Sequence, residues 1–131
     1  VNIYIKFCIL FAMLWCHAID DYAIQGCLAN LKQKKWWQEH APQPLYKNDY
    51  IIALIMHSLS WSFSISIPIL IAAVLWENSV LLPVLPLFYI LNTIVHAIVD
   101  DAKANRFEIN LIQDQLIHIV QIVIVWIVTL F

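Results

Sequence analysis

Charge is scarce in this chain. Only 12% of its 131 residues are charged, 7 basic and 9 acidic, against about 25% in a typical globular domain. The formal net charge of −2 is too small to name a partner. The three cysteines, Cys8, Cys16 and Cys27, are odd in number, lie in one apolar segment and form no CxxC. A disulfide framework is therefore not the organising device. There is no P-loop, no H-E-x-x-H and no serine-nucleophile motif. These absences argue against a nucleic-acid binder, a disordered segment and an ordinary soluble domain.

What the chain has instead is apolar length. Hydrophobic residues make up 63% of it, with six Trp and a mean hydropathy of +0.78. Its 15.2 kDa suits one compact domain. Lys6 is the one charge between Val1 and Ile19. Ile51 to Trp76 and Asn78 to Val99 carry none, and Leu111 to Phe131 only Asp114. Runs of about 20 apolar residues cross a hydrocarbon layer as helices. The expectation is an all-α, integral membrane four-helix bundle, antiparallel, forming a single transmembrane domain over residues 1–131. Its helices fall near 3–27, 51–75, 80–101 and 111–131. A soluble bundle would show a polar outer face on each helix. Ile65–Ala73 and Ile119–Leu130 show none. A membrane barrel would alternate strictly, and this chain does not. The first segment reads as a span rather than a cleavable signal peptide, because it is long and leads into polar groups.

The loops set an orientation. Residues 28–50 hold Lys32, Lys34, Lys35 and Lys47, and Ala102–Asn110 holds Lys103 and Arg106. The turn at Glu77–Ser79 has one acid and no base. The positive-inside rule places the first and third connections in the cytoplasm and both termini on the non-cytoplasmic side. An inner bacterial membrane is the expected location, with the lipid bilayer as the immediate partner. A homodimer or a membrane partner stays open, and nucleic acid is excluded. Trp36 and Trp37 beside Lys34 and Lys35 predict a short interfacial helix near 28–38. Pro42 and Pro44 make the rest of that loop irregular. Pro68 predicts a kink in the second span, whereas Pro83 and Pro86 fall near the start of the third, where Pro is tolerated.

Ionisable groups inside membrane helices are costly and mark sites. Here they share a spacing. His17 and Asp21, His96 and Asp100, and Asp114 and His118 are each four apart, on one helix face one turn apart. His57 supplies the remaining helix. His57 comes seven residues after Tyr50 and Asp114 four after Asn110. At about 1.5 Å of rise per residue, antiparallel threading brings all four helices to one polar layer in the cytoplasmic half. Gln25, Ser60, Ser64, Asn92 and Gln121 continue the same faces and are expected to line a cavity there. Asp20 and Asp101 point about 100° away from their neighbours on an α-helix and are expected at the rim or in a cap. His40, in the polar loop, is expected at the surface.

His nitrogen and Asp oxygen are ordinary ligands of a divalent metal. The candidate ligands are His17, His57, His96, His118 and Asp114, for one or two ions. Zinc comes first by ligand type, with Mn²⁺ or Fe²⁺ open. Asp21 and Asp100 are the candidate catalytic groups, orienting an imidazole or taking a proton from water. A metal-free Asp–His network and a proton path are the alternatives.

The order His17-x3-Asp21-x3-Gln25, His57, His96-x3-Asp100 and Asp114-x3-His118 resembles an uncharacterised family of small phage and bacterial membrane proteins, the domain of unknown function 3307. The resemblance spans His17 to His118. It implies an integral membrane fold and a shared His/Asp set without a settled activity. A more distant likeness is to inner-membrane metal-dependent hydrolases. That likeness implies hydrolysis of a lipid-like or interfacial substrate, with Lys34, Lys35 and Arg106 as head-group contacts. The alternative functions are a metal or proton transporter and a non-enzymatic phage or host membrane protein whose His/Asp network is structural.

Overall fold

The computed structural model describes residues 2–78 and 80–131. Ser79, in the turn read at Glu77–Ser79, lies outside them. The described residues are all helical or irregular. Helix α1 spans Ile3–Ile19 and runs into a π-helical turn, Asp20–Ile24. Two short helices follow, α2 (Leu28–Leu31) and α3 (Lys34–His40), then a 3₁₀ turn at Pro44–Tyr46. The long helices α4 (Asp49–Leu75), α5 (Leu81–Ala104) and α6 (Leu111–Leu130) complete the chain.

Four segments are long and apolar enough to cross a bilayer: Ile3–Ile24, Pro44–Leu75, Leu81–Ala104 and Leu111–Leu130. The protein is an all-α, membrane-embedded bundle. Helix α4 is its spine, packing on α1 and α5, while α6 packs on α5 and α1. Apolar association gains little inside lipid, so close fit must hold such helices together. The buried face of α4 is accordingly rich in small residues, Ala53, Ser58, Ser62, Ala72 and Ala73. Away from the loops, Ile9 and Met13 of α1 meet Ile65 and Ile69 of α4 and Ile122 and Val125 of α6 in a dry core. The outward faces carry exposed Ile52, Phe63, Ile71, Val120 and Val128, as lipid-facing surfaces should.

Local chemistry explains the ends. Asn110 caps α6 by accepting from the Gln113 amide at 3.0 Å, while Gln113 Oε1 accepts from the Asn110 N–H at 2.9 Å. This reciprocal box satisfies two N-terminal donors. Helix α4 ends with Glu77 at φ 49°. The Asn78 amide donates to the Ala73 carbonyl and the Glu77 amide to that of Val74, a Schellman closure. The chain's one glycine, Gly26, also takes a left-handed φ of 49°, where it turns the end of the π segment toward α2.

The interfacial helix expected near 28–38 is two pieces, broken at Lys32–Gln33. The two sides of that break are tied to each other and to the α5–α6 connection. The Trp37 indole donates to the Leu31 carbonyl at 2.7 Å, and Asn105 of the α5–α6 connection donates to the Lys32 carbonyl at 3.1 Å. Helix α4 continues through Pro68 without interruption.

Filling the tight α4 face should be costly. Ala73→Leu, at a fully buried position, is expected to destabilise the bundle by about 1–3 kcal/mol. Val74→Leu, on the outward face, should be near neutral. Unfolding in mixed detergent micelles checks the contrast.

Candidate metal centre

The π turn decides how the first helix enters the site. In an α-helix the Gln25 amide would donate to the Asp21 carbonyl. Here it donates to Asp20, five residues back, at 3.1 Å. The Asp21 carbonyl that this frees accepts from the Gln25 side-chain amide instead. The widened turn follows both acids, and both face inward, Asp20 toward α4 and Asp21 toward His17 and His57. This corrects the expectation for Asp20. It is fully buried, and its Oδ1 accepts from Ser60 Oγ at 2.8 Å and Ser64 Oγ at 2.9 Å. Asp101 stays at the rim, bonded to Arg106 at 3.1 Å.

Four imidazoles lie at one level. His96 and His118 stack with centroids 4.1 Å apart, His57 and His96 are 5.1 Å apart, and His17 and His118 5.9 Å. Trp61 is the floor, stacked on His96 at 4.2 Å. Its indole N–H donates to His17 Nδ1 at 2.8 Å. That bond makes Nε2 the protonated nitrogen of His17, which donates to Gln115 Oε1 at 3.1 Å. Both nitrogens of His17 are therefore engaged within the protein.

The other three rings are less satisfied. Nδ1 of His57, Nδ1 of His96 and both nitrogens of His118 have no hydrogen-bond partner of good geometry, nor do Asp21 Oδ1 and Asp114 Oδ1. They are nevertheless among carboxylates. His57 Nε2 lies 3.4 Å from Asp21 Oδ1, 3.3 Å from Asp100 Oδ2 and 3.2 Å from His96 Nε2. His118 Nε2 lies 3.5 Å from Asp100 Oδ1 and 3.3 Å from Asp114 Oδ1. A tetrahedral ion with bonds of roughly 2.0–2.2 Å sets its donors roughly 3.3–3.6 Å apart. The donor groups Asp21–His57–His96 and His96–Asp100–His118 are each compact enough to hold a metal ion.

Two lysines read from the sequence as orientation signals enter this layer. Lys32, at the α2–α3 break, is buried with Nζ 2.5 Å from Asp100 Oδ2. Lys103, one turn beyond Asp100, reaches Asp114 Oδ2 at 2.5 Å. Four buried aspartates against two ammonium groups leave a formal −2 while the imidazoles are neutral. Such a charge is expensive away from water unless a cation or protonated imidazoles meet it.

The milder polar residues are placed in separate bonds rather than along one cavity. Gln25 closes the π turn, and Ser60 and Ser64 hold Asp20. Gln121 donates to Asn92 Oδ1 at 2.7 Å in a pair beyond the histidine layer. Gln115, missed in the sequence, bridges Asp21 and Asp114 at 3.2 and 3.0 Å. A cavity of about 80 Å³ borders Asp21, Gln25, Lys32, Lys103 and Gln115. It adjoins a wider one of about 310 Å³ that shares Gln25, Lys32 and Lys103. The layer is thus approached from the loop end. Lys34 and Lys35 are exposed there, Lys35 3.7 Å from Glu39, while Arg106 also meets Glu108 at 3.0 Å. His40 is exposed and stacks on Trp36.

No family model, no curated protein and no solved structure matches this chain.

The two rim-expected acids should now behave differently. Asp20→Ala removes the acceptor of two serine bonds and is expected to cost about 2 kcal/mol. Asp101→Ala breaks a surface pair worth less than about 1 kcal/mol. Paired unfolding titrations in detergent measure the difference.

Proposed function

We propose that the protein is a membrane-embedded divalent-metal protein whose chemistry is hydrolysis of a lipid-like or interfacial substrate. The observation that carries it is a buried cluster with a formal −2 charge in which His57 Nε2 lies 3.2–3.4 Å from His96 Nε2, Asp21 Oδ1 and Asp100 Oδ2, a spacing that suits donors around one ion. A polar network built only for adhesion would close its own hydrogen bonds, as the His17–Trp61–Gln115 chain does.

The ligands of the proposed ion are His57, His96 and Asp21, with Asp100 Oδ2 beside them. Zinc is the first choice for two imidazoles and carboxylates. When bound, such an ion supplies Lewis acidity and a water of lowered pKa. The chain's own groups do the rest. Asp100 and Asp114 place carboxylate oxygens 3.5 and 3.3 Å from His118 Nε2, where they would accept a proton or share an ion with that ring. Gln115 holds Asp21 through Oδ2, which leaves Oδ1 to face His57. Lys32 and Lys103 border the mouth, where an anionic head group would arrive. Exposed Lys34 and Lys35 on α3 would meet the head-group layer first.

In this reading the four spans thread antiparallel, with the site near the cytoplasmic leaflet where the lysine-bearing loops lie. The proposed kinship with the domain of unknown function 3307 rests on the order of the His/Asp pairs alone. Transport is the weaker alternative, because past the Asn92–Gln121 pair the bundle is closed by the apolar packing of Ile9, Met13, Ile69 and Val125.

Protein purified in detergent and dialysed after zinc exposure should retain about one zinc equivalent per chain. His57→Ala and Asp21→Ala should each lose most of it, and His40→Ala should keep it. Elemental analysis reads all four proteins. Retention in the first two variants, or none in the wild type, would remove the proposed site.

A further inference from the structure

We infer that Lys103 is a built-in counter-cation: its ammonium group takes the place of a second divalent ion, so that the cluster binds one metal and not two. This rests on the reading of the cluster as a metal centre.

The donors fall into two overlapping sets, Asp21–His57–His96 and His96–Asp100–His118. Asp100 faces both, with Oδ2 3.3 Å from His57 Nε2 and Oδ1 3.5 Å from His118 Nε2. The sets share His96, and with that ring given to the first ion Asp100, His118 and Asp114 would remain for a second, as in a two-ion site. The second set is also well furnished: His118 is fully buried, neither of its nitrogens has a hydrogen-bond partner of good geometry, and Asp114 Oδ1 lies 3.3 Å away.

Charge decides against filling both. A formal −2 is met by one divalent ion, and a second would leave the buried layer at +2. Lys103 shows where the second position is taken. Its Nζ lies 2.5 Å from Asp114 Oδ2 and 3.9 Å from Asp100 Oδ1, between Asp100 of the second set and the adjoining Asp114. Its stem comes from the last turn of α5 and is a quarter exposed, so the ammonium reaches in from the mouth. Among the described residues, Asp20 and Asp21 form no ion pair with a lysine, and Lys32, on Asp100 Oδ2, leaves Asp21 Oδ1 and the His57 and His96 rings to the metal. Lys32 trims the charge of Asp100 from the opposite loop.

Zinc per chain distinguishes these states. The full chain, Lys103→Met and Lys103→Arg are loaded with zinc in detergent, dialysed and measured by elemental analysis. Gel filtration verifies folding, and Lys103→Gln replaces the Met variant if that one aggregates. The expected result is about one zinc in the wild type and the Arg variant, and about two in the Met variant, a roughly twofold rise. Two zinc ions in the wild type, or no rise in a folded neutral variant, would overturn the inference and leave the metal centre standing. No zinc in the wild type would remove the metal centre, and this inference with it.

Discussion

Carboxylates withdrawn from water must be answered by charge or by donors, and four of them sit in one layer of this bundle. That requirement organises the surrounding structure. Ser60 and Ser64 are turned to Asp20, Gln115 to Asp21 and Asp114, Lys32 to Asp100 and Lys103 to Asp114. The break between α2 and α3 delivers a lysine, and the π turn delivers a second aspartate.

The two ends of the bundle are held by different forces. At the loop end, charge-assisted hydrogen bonds in a low dielectric fix side chains strongly and directionally. Beyond Trp61 the contacts are dispersion between close-packed apolar groups, with small residues on α4 setting the approach. Trp61 belongs to both regimes. Its ring face lies on His96 and its edge donates to His17, so it separates the polar layer from the dry one while satisfying its own N–H. A layer closed on one side and approached from the other suits binding and chemistry at an interface better than passage through the membrane.

Much of this was legible in the chain. Long stretches without charge located the helices, because a charged side chain inside lipid is costly enough to be rare. The i, i+4 pairs could be placed on common faces, since helical spacing fixes direction from sequence alone. The helix boundaries differ from expectation mainly where a loop interaction intervenes, as at Lys32–Gln33. Asp20 was misplaced because helical spacing gives its direction from α1 but not its neighbours: Ser60 and Ser64 of α4 cover that side, which periodicity within α1 does not register. Lys103 was legible in principle, standing three residues after Asp100 on the same face. Lys32 was not, because nothing in a polar loop marks which of four lysines turns inward.

The sequence by itself determined that four apolar spans exist and that imidazoles and carboxylates lie at matching distances from their ends. Those properties follow from hydropathy and a fixed rise per residue, which are local. Only the tertiary structure decided the partners: which acid a lysine neutralises, that Trp61 and Gln115 engage both nitrogens of His17, and which imidazole nitrogens lack a partner among the described residues. Those choices depend on distances of a few ångströms between groups up to 98 residues apart in the chain, and no spacing along one helix encodes them.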